Sequence, residues 1–501
     1  MTSRTLAIKT LMDTSGVCFG TSGARGPVSA MTNEVCYAYA SAFLQYLQNL
    51  GDIRLGAPVA VGGDLRASTA RIMAAVASAV VDRGFSLVNA GELPTPALAY
   101  YGMLYRMPTL MVTGSHIPED RNGIKFTRSR GEITKDDEVQ IAAQCVAMPT
   151  GDLEKAPVPL PTVSSDPVEH YLRRYADFFG VGALKGKTVG LYEHSTVARG
   201  AIHDVLTALG AKVIRFGYSQ AFLPVDTEAI RPEDIDLARR WAAEHSIDCI
   251  VSADGDGDRP LISDENGEWL RGDIVGLLCA SYLNADAVVT PVSSNTAAEK
   301  SGHFSTVMRT RIGSPYVIAG MEAVANSGAR CVIGYEANGG VLLGSDVVRN
   351  DRTLAALPTR DALIALLGVL RLSAEAEEPI SRLVADLPQR FTASDRLKAF
   401  APQRSERILR QLHSGDRDRD SRMIEQVFSS VAGKVAAVDV TDGLRMTFAN
   451  EDIIHLRSSG NAPEFRCYTE CSNSQRALEL NQACLRIIEA WPAPEATGGA
   501  D

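Results

Sequence analysis

The sequence predicts the α/β class: units of strand, turn, helix and strand in series, then a smaller α+β unit at the C-terminus. Three observations carry this. A strand–turn–helix–strand pattern occurs twice with similar spacing, and a looser third copy follows. The last part of the chain then changes character, to closely spaced strands and one helix. Dividing the 501 residues by roughly 150 per domain gives about three domains and allows a fourth.

In the first copy, Ala57–Gly63 is an apolar run ending in glycine, Ser68-Thr69 is a turn, and residues 71–84 (RIMAAVASAVVDRG) have helical periodicity. Residues 85–91 (FSLVNAG) read as the next strand. The second copy has a strand at Lys187–Tyr192, a turn at Ser195-Thr196, a helix over 201–210 and a strand at Lys212–Gly217. Gly84 and Gly210 stand where helices end with a left-handed residue. This is the βαβ signature of parallel sheets. The third copy runs from Ala287–Pro291 through the helical pattern at 316–328 to Arg330–Gly334.

The Pro- and Ser-rich stretch Ala156–Ser165 reads as a linker. Further breaks lie at Asn284–Asp286 and near Leu387-Pro388. The expected domains are residues 1–158, 159–286, 287–387 and 388–501. In the last, Thr441-Asp442-Gly443 joins Val435–Val440 to Leu444–Ala449 as a hairpin. Ile453–Arg457 and Phe465–Thr469 read as strands, Ser472–Trp491 as an amphipathic helix and Pro492–Asp501 as a disordered tail.

Sixty acidic against fifty basic residues leave a net charge of −10. That balance argues against a general nucleic-acid binder and against a coat on anionic membranes. An anionic small molecule remains open, provided its site is locally positive. The first ten residues lack an apolar signal segment, and the longest apolar runs are too short to span a bilayer. Nine cysteines are scattered without a Cys-x-x-Cys pair, which points away from zinc knuckles and a disulfide framework. A reducing cytoplasm is the expected compartment.

Four loops hold candidate chemistry. Residues 113–125 (TGSHIPEDRNGIK) present Ser115 beside His116, with Lys125 following a tight Asn-Gly turn. A serine hydroxyl needs a base or an electrophile to act as a nucleophile or phosphate carrier. An isolated Ser-His pair is more often a capped turn. Residues 253–260 (ADGDGDRP) place Asp254, Asp256 and Asp258 between glycines after an apolar strand. Three converging carboxylates repel one another unless a cation sits among them, and an all-oxygen set suits Mg²⁺. An EF-hand fits at Asp254, Asp256, Asp258 and Glu265, but Arg259 stands where that loop needs glycine and a strand precedes it. Paired aspartates also occur in haloacid-dehalogenase phosphatases, which carry Thr or Val where this chain has Pro260. Residues 334–340 (GYEANGG) offer Glu336 and Asn338 to sugar hydroxyls, although a glycine-rich turn is the plainer reading. Residues 457–466 (RSSGNAPEFR) gather Arg457, Ser458, Ser459, Gly460 and Asn461 into a plausible anion nest.

Together, in this order and one per domain, the four loops resemble the α-D-phosphohexomutase family, which includes phosphomannomutases, phosphoglucomutases and phosphoglucosamine mutases. The resemblance covers essentially the whole chain and is most specific in TGSHIP…NGIK and DGDGDR; FGTSGARG at 19–26 resembles the family's N-terminal stretch. It implies three similar α/β domains in series plus a smaller α+β C-terminal domain, around a central cleft. It also implies an intramolecular phosphotransferase that interconverts hexose 6-phosphate and hexose 1-phosphate through a phosphoserine and a bisphosphate intermediate. On that basis Ser115 carries the phosphate, and Asp254, Asp256 and Asp258 hold Mg²⁺ against it, with Ser115 completing the metal set. Lys125 is the general acid or base, and Arg25, His116 and Arg259 neutralise moving charge. Glu336 and Asn338 read the sugar, and Arg457, Ser459, Gly460 and Asn461 grip the phosphate that is not reacting. A hexose 1,6-bisphosphate is the expected activator and a sugar phosphate the partner. No nucleic acid or membrane is expected, and the chain would be a monomer or homodimer.

The departures bear on the sugar. Asn338 and Gly340 stand where relatives often carry serine and histidine, Asn461 where they usually carry threonine, and Ser314-Pro315 where they often carry histidine or an acid. The Asp-Arg-Pro continuation at 258–260 favours mannose; glucose and glucosamine phosphates are the alternatives. An Mg²⁺-dependent sugar-phosphate phosphatase and a non-catalytic binder are readings of other classes. The phosphate loop at 457–461 argues against the first, and the retained Ser115, Lys125 and aspartates against the second.

Overall fold

The computed structural model describes residues 4–20, 23–149, 158–459 and 463–492. The chain forms two compact units. The larger takes in the chain to Thr290 with His303–Met308 and Gly313–Asp386; the smaller takes in Pro291–Gly302, Arg309–Ile312 and the chain from Leu387.

One strand order recurs three times in the sheets. Strand Pro58–Gly63 lies between Ser86–Glu92 and Thr109–Val112 and is parallel to both. Strand Thr188–His194 lies in the same way between Lys212–Tyr218 and Cys249–Ala253. Strand Ala287–Pro291 lies between Thr306–Thr310 and Val332–Tyr335. The first strand of each unit is therefore central, as right-handed crossovers on alternating sides require. The two clear copies form as expected, with helices Thr69–Asp82 and Arg199–Ala208. Gly84 and Gly210 follow them at φ +80° and +91°. The third copy needs a correction. Its first return strand is Thr306–Thr310, reached through the short helix Ala297–Ser301. The expected helix, Ser314–Asn326, leads instead to the third strand. The five-residue helix has too little apolar periodicity to stand out in the sequence.

Each triplet then reverses direction. Thr109–Val112 pairs antiparallel with Arg121–Arg128, Cys249–Ala253 with Pro260–Ile262, and Val332–Tyr335 with Val341–Leu343. The connections carry Ser115, the three aspartates and Glu336 respectively. Three of the four candidate loops are thus one topological position, repeated. The core beneath the first sheet is aliphatic and aromatic, with Phe43, Leu44, Val61, Val76 and Phe126 buried. The linker residues 158–165 form no helix or strand but are tied down: Asn89 Nδ2 donates to the Pro161 carbonyl (2.8 Å) and Ser164 N to the Asn89 carbonyl (2.8 Å).

In the smaller unit, five antiparallel strands run in the order Phe391–Leu397, Phe465–Cys471, Ile453–Ser458, Leu444–Phe448, Val435–Asp439. Helix Ser474–Glu489 packs Leu480, Cys484 and Ile488 into their core. The tail from 493 lies outside the described residues. All nine cysteines are free. Among the described residues no helix is long and apolar enough to cross a membrane.

Candidate active site

Ser115 is 1% exposed and adopts φ +55°. That left-handed backbone costs a non-glycine residue about 1–3 kcal/mol. Arg66 supports this conformation. Its guanidinium donates to the carbonyls of Ser115 (2.8 Å), Ile117 (2.6 Å), Pro118 (2.8 Å) and Arg121 (3.1 Å). It also pairs with Asp64 at 3.2 Å and stacks over the Phe222 ring at 4.0 Å. Asp64 in turn accepts from the hydroxyls of Thr69 and Thr113, both at 2.7 Å. Asp64 and Arg66 are not among the residues the sequence reading selects. Their signal is Gly-Gly-Asp-x-Arg directly at the end of a central strand, where site residues of α/β folds collect.

The Ser115 hydroxyl donates to Asp254 Oδ2 at 2.6 Å and lies 3.3 Å from His116 Nδ1. Gly255 permits this approach, because a Cβ there would fall 2.6 Å from the Ser115 carbonyl oxygen. Asp254, Asp256 and Asp258 are fully buried, and one oxygen from each lies within 4.8 Å of the others. Asp254 Oδ1 accepts from the amides of Asp258 and Arg259, both at 3.1 Å. Asp256 Oδ2 accepts from Thr95 Oγ1 and Lys125 Nζ, both at 2.6 Å. Asp258 Oδ2 accepts from Lys125 Nζ (2.6 Å) and from Arg360 Nε (3.1 Å) and Nη2 (3.0 Å). Asp256 Oδ1 and Asp258 Oδ1 are buried without a hydrogen-bond partner. Orphaned anionic oxygens at this depth are costly, and a divalent cation on an oxygen-only set satisfies them. The donor set therefore fits a hard metal ion. Glu265, the last ligand of an EF-hand pattern, accepts from Ser381 instead.

Electrostatics separate these groups. Burial and its two acidic neighbours push the Asp254 carboxyl well above the usual range. Burial would raise Asp258 too, but Arg360, Lys125 and Arg259 outweigh it and hold that carboxyl low. Burial opposes the charge on Lys125, yet Asp256 and Asp258 keep its ammonium above the ordinary value. Burial, then Arg259 and Arg25, pull His116 down to about 2. Burial and these two guanidiniums thus oppose the positive charge expected of His116, whose ring nitrogen lies 3.5 Å from Arg259 Nη1. Arg25 is half-buried, and burial with Arg259 and Arg360 nearby lowers it to about 10.

Glu336 is 4% exposed, and its Oε2 accepts from Arg360 Nη1 at 3.1 Å. Asn338 Oδ1 accepts from Gly340 N at 3.0 Å, and its main-chain carbonyl accepts from Thr227 Oγ1 at 2.7 Å. The side-chain oxygen of Asn338 is thus engaged in closing its own turn, which leaves the side-chain amide to meet a sugar hydroxyl. Arg360 joins the site unannounced: it stands at the end of strand Leu357–Asp361, and nothing in its local sequence marks it. Ser115, His116, Lys125, Arg25, Arg259, the aspartates and Glu336 come together in the larger unit. Arg457 and Ser459 lie in the smaller one. Arg457 Nε donates to Asp442 Oδ1 at 2.9 Å, and Ser459 N donates to the Glu464 carbonyl at 3.0 Å. Gly460 and Asn461 lie outside the described residues.

Comparison with known proteins converges on one family. Residues 16–148 match the model of phosphoglucomutase/phosphomannomutase α/β/α domain I, and residues 271–391 that of domain III. A phosphomannomutase of Salmonella muenchen is 43% identical over 480 residues, 96% of this chain and 97% of that protein. One from Sinorhizobium fredii is 41% identical over 478 residues, covering 95% and 99%. The fold is shared with an N-acetylphosphoglucosamine mutase of Aspergillus fumigatus, solved with GlcNAc-6P and magnesium. Its TM-score is 0.60 at 12% identity, covering 97% of this chain and 98% of that one. With two domain models matched and near-full-length relatives at 43% and 41% identity, the chain belongs to the phosphoglucomutase/phosphomannomutase family of phosphohexomutases.

Proposed function

We propose that this protein is a phosphomannomutase: it moves a phosphoryl group between O6 and O1 of mannose phosphate, with Ser115 as carrier. The observation that carries the reading is the 2.6 Å bond from Ser115 Oγ to Asp254, inside a triad with two buried carboxylate oxygens that accept no hydrogen bond. The two relatives above 40% identity support mannose. Asp254, Asp256, Asp258 and Ser115 would hold Mg²⁺. That ion would supply charge stabilisation to the transferring group.

Phosphoryl transfer asks for positioning and electrostatic stabilisation more than covalent help. Arg66 and Thr113 fix the serine backbone. Arg259 and Arg25 face the phosphate's negative charge, and His116 donates a ring N–H to it. As the Oγ–P bond breaks and the sugar O–P bond forms, Oγ gains a proton and the sugar hydroxyl loses one. Lys125 enters charged, so it serves first as the acid, and the hydroxyl's proton restores it. Glu336 and the Asn338 amide bind sugar hydroxyls. Arg457, Ser459, Gly460 and Asn461 are assigned to the non-reacting phosphate. Hexose 1,6-bisphosphate would prime Ser115. The four-domain division at 158, 286 and 387 gives each domain one of these loops. Nine unpaired cysteines support a cytoplasmic setting.

Ser115→Ala tests the reading. It should abolish mutase turnover, and intact mass should show one phosphate on the parent after bisphosphate treatment and none on the variant. Full activity in Ser115→Ala, or stoichiometric release of inorganic phosphate in place of isomerised sugar, would overturn it. Comparing mannose, glucose and glucosamine phosphates by kcat/KM tests the sugar.

A further inference from the structure

We propose that Arg360 is a positioning residue that sets the sugar-reading carboxylate against the metal loop and so contributes to the choice of hexose. The inference rests on the assignments of Glu336 and Asp258 made above.

Arg360 is 3% exposed, and its guanidinium is shared between two loops. Nε and Nη2 donate to Asp258 Oδ2, and Nη1 donates to Glu336 Oε2. A rigid planar fork thereby fixes the separation of a metal-loop carboxylate and a sugar-loop carboxylate; a lysine, with one compact charge, cannot span both in the same way.

The surroundings are built for this side chain. A Cβ on Gly340 would lie 2.6 Å from Arg360 Cδ and 2.7 Å from Cγ, so the arginine stem fills the space a sugar-loop side chain would take. The next residue, Asp361, accepts from Tyr171 (2.5 Å), from Tyr175 and from Leu363 N (2.9 Å). These bonds clamp the strand end that carries Arg360 onto helix Asp166–Phe179. On its far side the sugar loop is pinned by the bond from Thr227 to the Asn338 carbonyl. Glu336 is therefore aimed by Arg360 between two fixed supports. Without the arginine, Asp258 keeps Lys125 at 2.6 Å, whereas Glu336 loses the 3.1 Å ion pair that holds it and is the carboxylate left to move.

The test uses the full chain with Mg²⁺ and hexose 1,6-bisphosphate, measuring kcat and KM for mannose 1-phosphate and glucose 1-phosphate. Loss of one charge-assisted bond is about 10-fold or more in binding. Arg360→Met should raise KM by at least that and shrink the mannose-to-glucose ratio of kcat/KM similarly; Arg360→Lys should restore only part. Gly340→Ala keeps every charge but displaces the stem, and it should shift the ratio in the same direction. If Arg360→Met folds but lowers kcat with KM and the ratio unchanged, Arg360 only balances charge and the inference is overturned. If it does not fold, an unchanged ratio in Gly340→Ala overturns it. Glu336→Gln separates the two levels. If it moves the ratio while the Arg360 and Gly340 variants do not, the inference alone fails; if it too leaves the ratio unchanged, the reading of Glu336 fails and takes the inference with it.

Discussion

Replacing Arg66 with lysine isolates the role of the serine loop's backbone support. The parent guanidinium makes four bonds to loop carbonyls, between 2.6 and 3.1 Å. A lysine keeps the charge and the partnership with Asp64 but cannot reach all four carbonyls, which are spread from Ser115 to Arg121. Losing even two such bonds removes about 3 kcal/mol of support. The left-handed Ser115 backbone stores about 1–3 kcal/mol that is then free to relax. The competent loop would fall from dominant to a minor population, about 10²-fold less, since each factor of ten is about 1.4 kcal/mol. Because Arg66 touches no sugar on this reading, kcat should fall about 10²-fold with KM for the hexose phosphate little changed. The assay is steady-state mutase turnover, with melting temperature as a check on the global fold. A kcat within about twofold of the parent, in a folded Arg66→Lys protein, would show that the loop holds its shape without the fork.

Three further outcomes follow from the same geometry. Chelation should stop turnover and Mg²⁺ should restore it, measured by coupled assay after dialysis against EDTA. Asp254 has a raised carboxyl. Its contribution to stability is therefore greatest below the unfolded carboxyl range and is lost as pH rises. Asp254→Asn should thus raise the metal-free melting temperature at neutral pH by roughly 2–8 °C while removing activity; a lower melting temperature would contradict this. His194 donates its Nε2–H to the Ala253 carbonyl (2.8 Å) and is pulled down to about 4, chiefly by burial. The unfolded ring takes its proton near pH 6.5. The stabilising effect is therefore full above that pH and is lost as pH falls through the folded value, by up to about 3 kcal/mol. Denaturant titrations should show that slope flattened in His194→Gln.

The repeated α/β units are legible in the sequence because strand and helix periods differ and glycines mark the helix ends. The aspartate loop is legible because three acids spaced by glycine, delivered by an apolar strand, can only converge stably around a cation. The third repeat departs from its expected form because Ala297–Ser301 is too short to show a period and its return strand, Thr306–Thr310, is mostly half-exposed. Arg360, and the contacts of Arg66 beyond its Gly-Gly-Asp-x-Arg signal, are hidden for a different reason. Their partners are distant in the chain, and an arginine at a strand end looks the same whether it faces water or carbonyl oxygens. His116 shows the converse: its place beside Ser115 is plain in the sequence, but the burial that chiefly lowers its pKa, and Arg259 and Arg25 which add to it, come only with the fold.

The chain's charge of −10 takes on a more specific meaning at this site. The acids Asp254, Asp256, Asp258 and Glu336 face the bases Arg25, Lys125, Arg259 and Arg360, so the formal charges cancel. With Asp254 pushed towards its neutral form, the site as it stands leans positive. It would then take a phosphate on Ser115, about −1.5 to −2 charges, more readily than a bare dication. A dication and a phosphoserine together leave the balance where it began. Metal affinity and serine phosphorylation should therefore be linked, each tightening the other by the same free energy. Calorimetric titration of Mg²⁺ into the phosphorylated and dephosphorylated protein measures that link. Tighter binding to the phosphorylated form is expected, and equal affinities would mean that the arginines, not the cation, carry the phosphate's charge.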